Sequence, residues 1–268
     1  MRGRGNAIEL GATQATDMMV LRREGLDRCA VAPLAVDGPF ADMTVRLAPD
    51  DVPGRELPRL AAAVARRLSR PDHRVGPGAV LVTGLAAHFR PAAAREFHED
   101  LFRAVWTEFR AGIPGGDREF RIKTGTVADG AIPEELYGSR WSFKDLHVDR
   151  EVLLFSHLYG PVAGFAGGEL LLVDVRPYLR GRGLGFADAF TWSSESTEGS
   201  KPVLRPEHCR SAVAECGVDV GPLGPDAIVF VNNMPDAGIL HGVRPVEVTD
   251  AAAFRREYHR CSVKEVSP

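Results

Sequence analysis

Lysine is scarce in this chain. It stands only at Lys123, Lys144, Lys201 and Lys264, so nearly all of the 33 basic residues are arginine. With abundant Ala, Gly and Pro, this is the composition of a GC-rich bacterial genome, which bears on origin and not on chemistry. An excess of charge is lacking too: the formal net charge is −3, which leaves no basic footprint for nucleic acid or an anionic membrane. Cysteine is limited to Cys29, Cys209, Cys216 and Cys261, with no CxxC pair. A chain of 268 residues buries enough core to need no disulfide staple, and the expectation is a reducing cytoplasm. No eighteen apolar residues run together, so no membrane span is predicted. The opening MRGRGNAIEL has no continuous apolar stretch, so no signal peptide is expected. Internal repeats, low-complexity tracts and linkers are also missing. One domain over 1–268 is expected, with residues 1–15 flexible.

The patterns that are present divide the chain. In "PRLAAAVARRLSR", Leu60, Val64 and Leu68 recur four apart, as on one face of a helix. "GAVLVTGL" (78–85) reads as a short strand. In 90–112, Pro91 sits at a first turn, Phe97, Leu101, Val105 and Phe109 make an apolar stripe, and Gly112 ends the pattern. Flanking helices and a first strand are thus predicted over 55–112. From residue 140 onward the runs are short and β-rich: "EVLLFSHLYG", "GELLLVDV", "DAIVFVNN", "VRPVEV" and "EYHRCSV". They predict a jelly-roll-like core over 140–263. Residues 178–225 read as a long irregular section, a candidate lid, with one helical pattern at "RPEHCRSAVAEC".

Two His-x-Asp pairs stand in the sequence, and backbone geometry separates them. His98 and Asp100 lie inside the long helix, where i and i+2 project roughly 200° apart and cannot grip one ion. They are expected to face solvent. His147 and Asp149, in "DLHVDREVLLF", lead into a strand, where i and i+2 share a face about 7 Å apart at Cα. His241 opens another β-run after "DAIVFVNN". Two histidines and one carboxylate on a β-scaffold match the facial triad that leaves three positions open on Fe(II). Near the end, "FRREYHRCSV" places Arg256, Tyr258 and Arg260 on one strand face. A buried guanidinium needs an anion, and a bound dicarboxylate suits its planar fork. Each residue alone has a plainer reading: a turn histidine, a solvated carboxylate, edge-strand arginines. Their order and spacing together favour the metal site.

That order resembles the Fe(II)/2-oxoglutarate-dependent oxygenases, in particular the taurine dioxygenase and clavaminate synthase-like branch. The resemblance rests on His147-Val-Asp149, on the distal His241-Gly-Val-Arg-Pro-Val, and on Arg256 and Arg260 within "RREYHR". It implies a mainly β fold with flanking helices around a double-stranded β-helix (jelly-roll, cupin-like) core. It also implies that His147, Asp149 and His241 bind Fe(II), with 2-oxoglutarate and O₂ as co-substrates. Arg256 would hold the distal carboxylate of 2-oxoglutarate and Arg260 an anionic group of the primary substrate. Where that branch has a threonine after a Gly-Gly pair, this chain reads Gly167-Gly168-Glu169-Leu170, so one co-substrate contact is missing or comes from elsewhere. Halogenases of the same fold carry Ala or Gly at the carboxylate position, so Asp149 favours hydroxylation, with desaturation, ring closure and epimerisation open from the same substrate radical.

The expected enzyme hydroxylates an unactivated carbon of a small polar, amino-acid-like or carboxylate-bearing substrate in bacterial natural-product biosynthesis. Succinate and CO₂ are its co-products. Asn233 and Trp141 are candidate substrate contacts, although Asn232 and Asn233 are turn formers first. The segment 121–130 and Lys144 either line the pocket or belong to an exposed loop. Two rivals remain: a metal cupin enzyme that does not use 2-oxoglutarate, and a non-catalytic small-molecule-binding protein on the same fold. The sequence is silent on oligomeric state.

Overall fold

A computed structural model describes residues 40, 42–68, 78–113, 119–129, 146–149, 151–192, 201–221 and 223–266. Strand β1 (Thr44–Arg46) precedes helix α1 (Pro53–Leu68), and β2 (Ala79–Thr83) precedes helix α2 (Pro91–Arg110). The stripes read from sequence are the buried faces. α1 buries Leu60, Val64 and Leu68; α2 starts on Pro91 and buries Phe97, Leu101, Phe102, Val105, Trp106 and Phe109. Burying side chains of this size stabilises by ~1.5–3 kcal/mol each before conformational entropy is charged.

Next come β3 (Phe120–Asp129), β4 (Val152–Tyr159), β5 (Phe165–Gly167) and β6 (Leu170–Asp174). Helices α3 (Val175–Arg182) and α4 (Phe186–Ala189), strands β7 (Phe190–Trp192) and β8 (Pro202–Leu204), helix α5 (Pro206–Cys216) and strand β9 (Gly217–Val220) follow. The chain ends with β10 (Ala227–Asn232), β11 (Ile239–Val243), β12 (Val246–Val248) and β13 (Arg256–Glu265). The larger sheet has six strands in the order β1-β2-β10-β4-β13-β3, and a second has the order β11-β6-β9.

Both faces of the larger sheet are covered. Val80, Val82, Leu154, Leu158, Ile228, Phe230 and Val263 share one apolar cluster with α1 and α2. Phe155, Val229 and Val231 share another with Leu170, Leu172, Val220 and Ile239 of the second sheet. Strand β4 is therefore buried almost end to end, which is why "EVLLFSHLYG" reads as a continuous apolar run.

Three expectations are corrected. Of the two readings of 121–130, the loop fails over the described residues 121–129: β3 pairs with β13 from Arg256↔Asp129 to Glu265↔Phe120. Residues 178–225 are largely regular. α3 and α5 bury Tyr178, Leu179, Ala212 and Cys216 in one apolar cluster, and β9 pairs with β6; residues 193–200 lie outside the described residues. His98 does not face solvent; it is fully buried between α2 and the sheet. Among the described residues, no helix is long and apolar enough to cross a membrane.

Candidate metal centre

Residues 146–149 run extended beside two strands. His147 and His241 exchange backbone hydrogen bonds, N to O in both directions at 3.1 Å. Val148 N donates to Pro202 O and Leu204 N to Leu146 O, so β8 closes the other edge. Strand alternation then sorts the side chains. Leu146 and Val148 enter the apolar cluster around α3 and α5, while His147 and Asp149 take the opposite face. The antiparallel pairing sets the His147 and His241 rings 4.2 Å apart.

Asp149 completes the group. Its Oδ1 lies 3.4 Å from His147 Nε2 and 3.7 Å from His241 Nε2. One donor atom from each of His147, Asp149 and His241 falls within 4.8 Å of the others. Octahedral bonds of ~2.1 Å would set neighbouring donors ~3.0 Å apart, so small side-chain adjustments close the group on one ion.

Two polar residues fix the carboxylate. Arg260 Nη2 donates to Asp149 Oδ2 at 2.5 Å, leaving Oδ1 turned to the imidazoles. Asn233 holds the backbone. Its Oδ1 accepts from Asp149 N at 3.0 Å, and its Nδ2 donates to Asp149 O at 2.8 Å and to Val152 O at 2.6 Å. The turn it spans includes Glu151 at φ 63°, a left-handed conformation that needs such support.

The charge states suit a divalent cation. Burial opposes ionisation of Asp149, but Arg260 and the two imidazoles override it and hold the carboxyl well below the usual carboxylate range. Burial, helped by His147, lowers His241 to about 4, against the pull of Asp149. Neutral imidazole beside ionised carboxylate is the form in which these groups ligate metal. His241 Nδ1 is buried with no hydrogen-bond partner among the described residues.

The other predicted residues divide. Arg256 is buried on β13, with Nε 3.5 Å from where a Cβ on Gly168 would lie. Arg260, the predicted holder of a substrate anion, donates to Asp149. Asn233 was expected to touch substrate, but it is fully buried and its amide is spent on the Asp149 turn. Leu170, where the resemblance calls for threonine, packs into the apolar layer between the sheets. Trp141 and Lys144 lie outside the described residues.

Sequence reasoning missed His157 and Lys201. His157 lies on β4 directly opposite Arg260 on β13, and Lys201 acts electrostatically on His241 from beside β8. The β-alternation Phe155, His157, Tyr159 carried the signal for the first; nothing local marks the second.

A second donor group, His98, His259 and Cys261, occupies the helix-covered face of the sheet. Its imidazoles are already engaged: His98 Nε2 with Ser156 Oγ at 2.6 Å, and His259 with Glu99 at 3.0 Å and Thr126 at 3.2 Å.

No family model matches the chain, and no curated protein is similar to it. Solved structures are similar at a distance. AAD-2, solved with Mn(II) and N-oxalylglycine, aligns with a TM-score of 0.44 at 13% identity, over 87% of this chain and 98% of its own. PvcB from Pseudomonas aeruginosa scores 0.42 at 14% identity, over 89% and 90%. The iron and α-ketoglutarate-dependent endoperoxidase NvfI scores 0.38 at 15% identity, over 71% and 76%. All three scores lie below 0.5, so the functional reading rests on the residues of the site.

Proposed function

We propose that this protein is a non-haem Fe(II)/2-oxoglutarate-dependent oxygenase that hydroxylates an unactivated C–H bond of a small polar substrate. The observation that carries the reading is the convergence of His147 Nε2, Asp149 Oδ1 and His241 Nε2. A triad of this composition leaves three adjacent positions on the metal. Supporting it, the strands alternate between the two sheets along the chain: β3 and β4 in one, then β6 and β9, then β10, β11 and β13. We read this as the double-stranded β-helix, with the taurine dioxygenase and clavaminate synthase-like branch as its nearest pattern, and residues 1–268 as one oxygenase domain.

Bound iron and co-substrate supply an oxidising equivalent: 2-oxoglutarate, O₂ and R–H give succinate, CO₂ and R–OH, with one oxygen atom in succinate and one in the product. The protein's residues do the holding. His147, Asp149 and His241 ligate; Arg256, buried at the far end of the same strand face as Arg260, pairs the distal carboxylate of 2-oxoglutarate. Arg260 orients Asp149. A setting in bacterial natural-product tailoring rests on composition alone.

Anaerobic addition of Fe(II) and 2-oxoglutarate tests the reading. A weak visible metal-to-ligand charge-transfer band is expected, and at the same co-substrate concentration it is lost in Arg256→Ala. Metal binding without the band would favour a metal cupin enzyme of another class. No metal binding would favour a non-catalytic binding protein.

A further inference from the structure

A 2-oxo acid bound in a buried site needs a polar partner for each of its carboxylates, because an unpaired buried oxygen is costly. On the metal-facing side of β4 and β13, the register sets Phe155 against Ser262, His157 against Arg260 and Tyr159 against Tyr258. Along β4 this makes a sequence of rings. His241 lies 4.8 Å from Phe155, Phe155 5.0 Å from His157, and His157 4.5 Å from Tyr258, between ring centroids. Arg256 follows one pleat beyond Tyr258. His157 therefore stands between the triad and the arginine proposed to hold the distal carboxylate.

His157 is buried, and its Nε2 is a polar atom with no hydrogen-bond partner among the described residues. Its other nitrogen, Nδ1, lies 3.4 Å from the Tyr159 hydroxyl. Burial pushes that hydroxyl above its ordinary value, so it keeps its proton. With that proton directed to Nδ1, the ring's own hydrogen sits on Nε2 and makes it a donor. The register separates the two ends of the path: His157 lies opposite Arg260, whose guanidinium bonds Asp149, whereas Tyr159 lies opposite Tyr258, one pleat from Arg256. His157 belongs to the metal end.

We infer that His157 donates a hydrogen bond from Nε2 to the metal-proximal (C1) carboxylate of the 2-oxo acid. The inference rests on the proposed oxygenase reading. It makes His157 a co-substrate-binding residue, marked in the sequence only by its place in the β4 alternation.

Equilibrium titration separates it from a structural role. The dissociation constant of 2-oxoglutarate is read from the charge-transfer band of the anaerobic Fe(II) protein, and Mn(II) affinity is measured without co-substrate. His157→Phe, which fills the space but cannot donate, is expected to weaken 2-oxoglutarate by ~10–100-fold, as for a hydrogen bond to a charged group. His157→Gln, which retains a donor, should recover most of that loss. Mn(II) affinity should stay within about twofold in both variants. 2-Oxobutyrate keeps C1 and lacks the distal carboxylate, so it should suffer the same fold loss in His157→Phe. Unchanged 2-oxoglutarate affinity in His157→Phe overturns the inference while leaving the oxygenase reading intact. So does a loss that vanishes with 2-oxobutyrate, or one matched by lost Mn(II) affinity. Absence of the band in the native protein overturns the oxygenase reading, and the inference with it.

Discussion

Arg260 holds Oδ2 of Asp149 at 2.5 Å, so the other oxygen of that carboxylate faces two imidazole nitrogens. The two residues are 111 positions apart, and the ion pair joins the 146–149 segment to β13. Outer partners of this kind orient metal ligands and tune their affinity. Arg260→Ala is expected to lower Mn(II) or Fe(II) affinity by ~10–100-fold, with Arg260→Lys intermediate because a point charge replaces a fork. Isothermal titration with Mn(II) checks this; an unchanged affinity in the alanine variant would show that Asp149 needs no anchor.

Asn233 acts on the same carboxylate through the backbone. Its replacement by alanine leaves Asp149 N, Asp149 O and Val152 O without their side-chain partner, beside a residue at φ 63°. Buried unpaired backbone groups cost ~1–3 kcal/mol each and do not add fully, so a loss of about 3 kcal/mol is expected. Urea unfolding measures it, and metal affinity should fall in parallel. A substrate-contact role predicts the opposite: a raised KM with unchanged stability.

Asp149→Ala removes the oxygen between the two imidazoles without opening the apolar layers, because the side chain sits at the margin of the core. Metal binding and substrate hydroxylation should be lost while the far-UV circular dichroism spectrum is kept. It also leaves the Arg260 guanidinium without its anion in a partly buried place, so a loss of ~1–3 kcal/mol in stability is expected. A variant that binds Mn(II) as tightly as the parent would remove Asp149 from the ligand set.

What could be read from the sequence was whatever a local period encodes. The two-residue repeat put His147 with Asp149 and Arg256 with Arg260; the four-residue repeat found both long helices. Partners across the sheets have no local signature. Nothing in "RREYHR" says that Arg260 will meet Asp149, and nothing in "VNNM" says that Asn233 will span a turn eighty residues upstream. β3 was missed because most of its side chains that can be described are exposed and it carries Gly125 among threonines, so no apolar alternation marks it. α3 and α4 are too short for a helical period to repeat, and Gly183, left-handed at φ 63°, ends the first of them.

His98 was misjudged for a different reason: the apolar stripe of α2 is broader than the Phe97, Leu101, Val105, Phe109 row, and His98 falls inside it beside Phe102. Its burial makes it a titration probe on the face of the sheet opposite the proposed ligands. Burial, with the charge of His259 adding to it, lowers His98 to about 3 from an ordinary value near 6.5. Cys261, 4.0 Å from its Nδ1, adds no charge, since burial and Glu99 push that thiol up to about 12. Between those two pH values the unfolded chain binds a proton that the native protein refuses. The contribution of His98 to stability is therefore complete above about pH 6.5 and is lost as pH falls toward 3, by at most about 1.4 kcal/mol per pH unit. His241, His157 and Asp149 contribute with the same sign, so the measurement is a difference. His98→Gln retains a group able to bond Ser156 and removes the titration. Urea unfolding at intervals from pH 7 to 4 should show the native protein losing stability faster than His98→Gln on acidification. Parallel curves would mean that His98 accepts a proton in place.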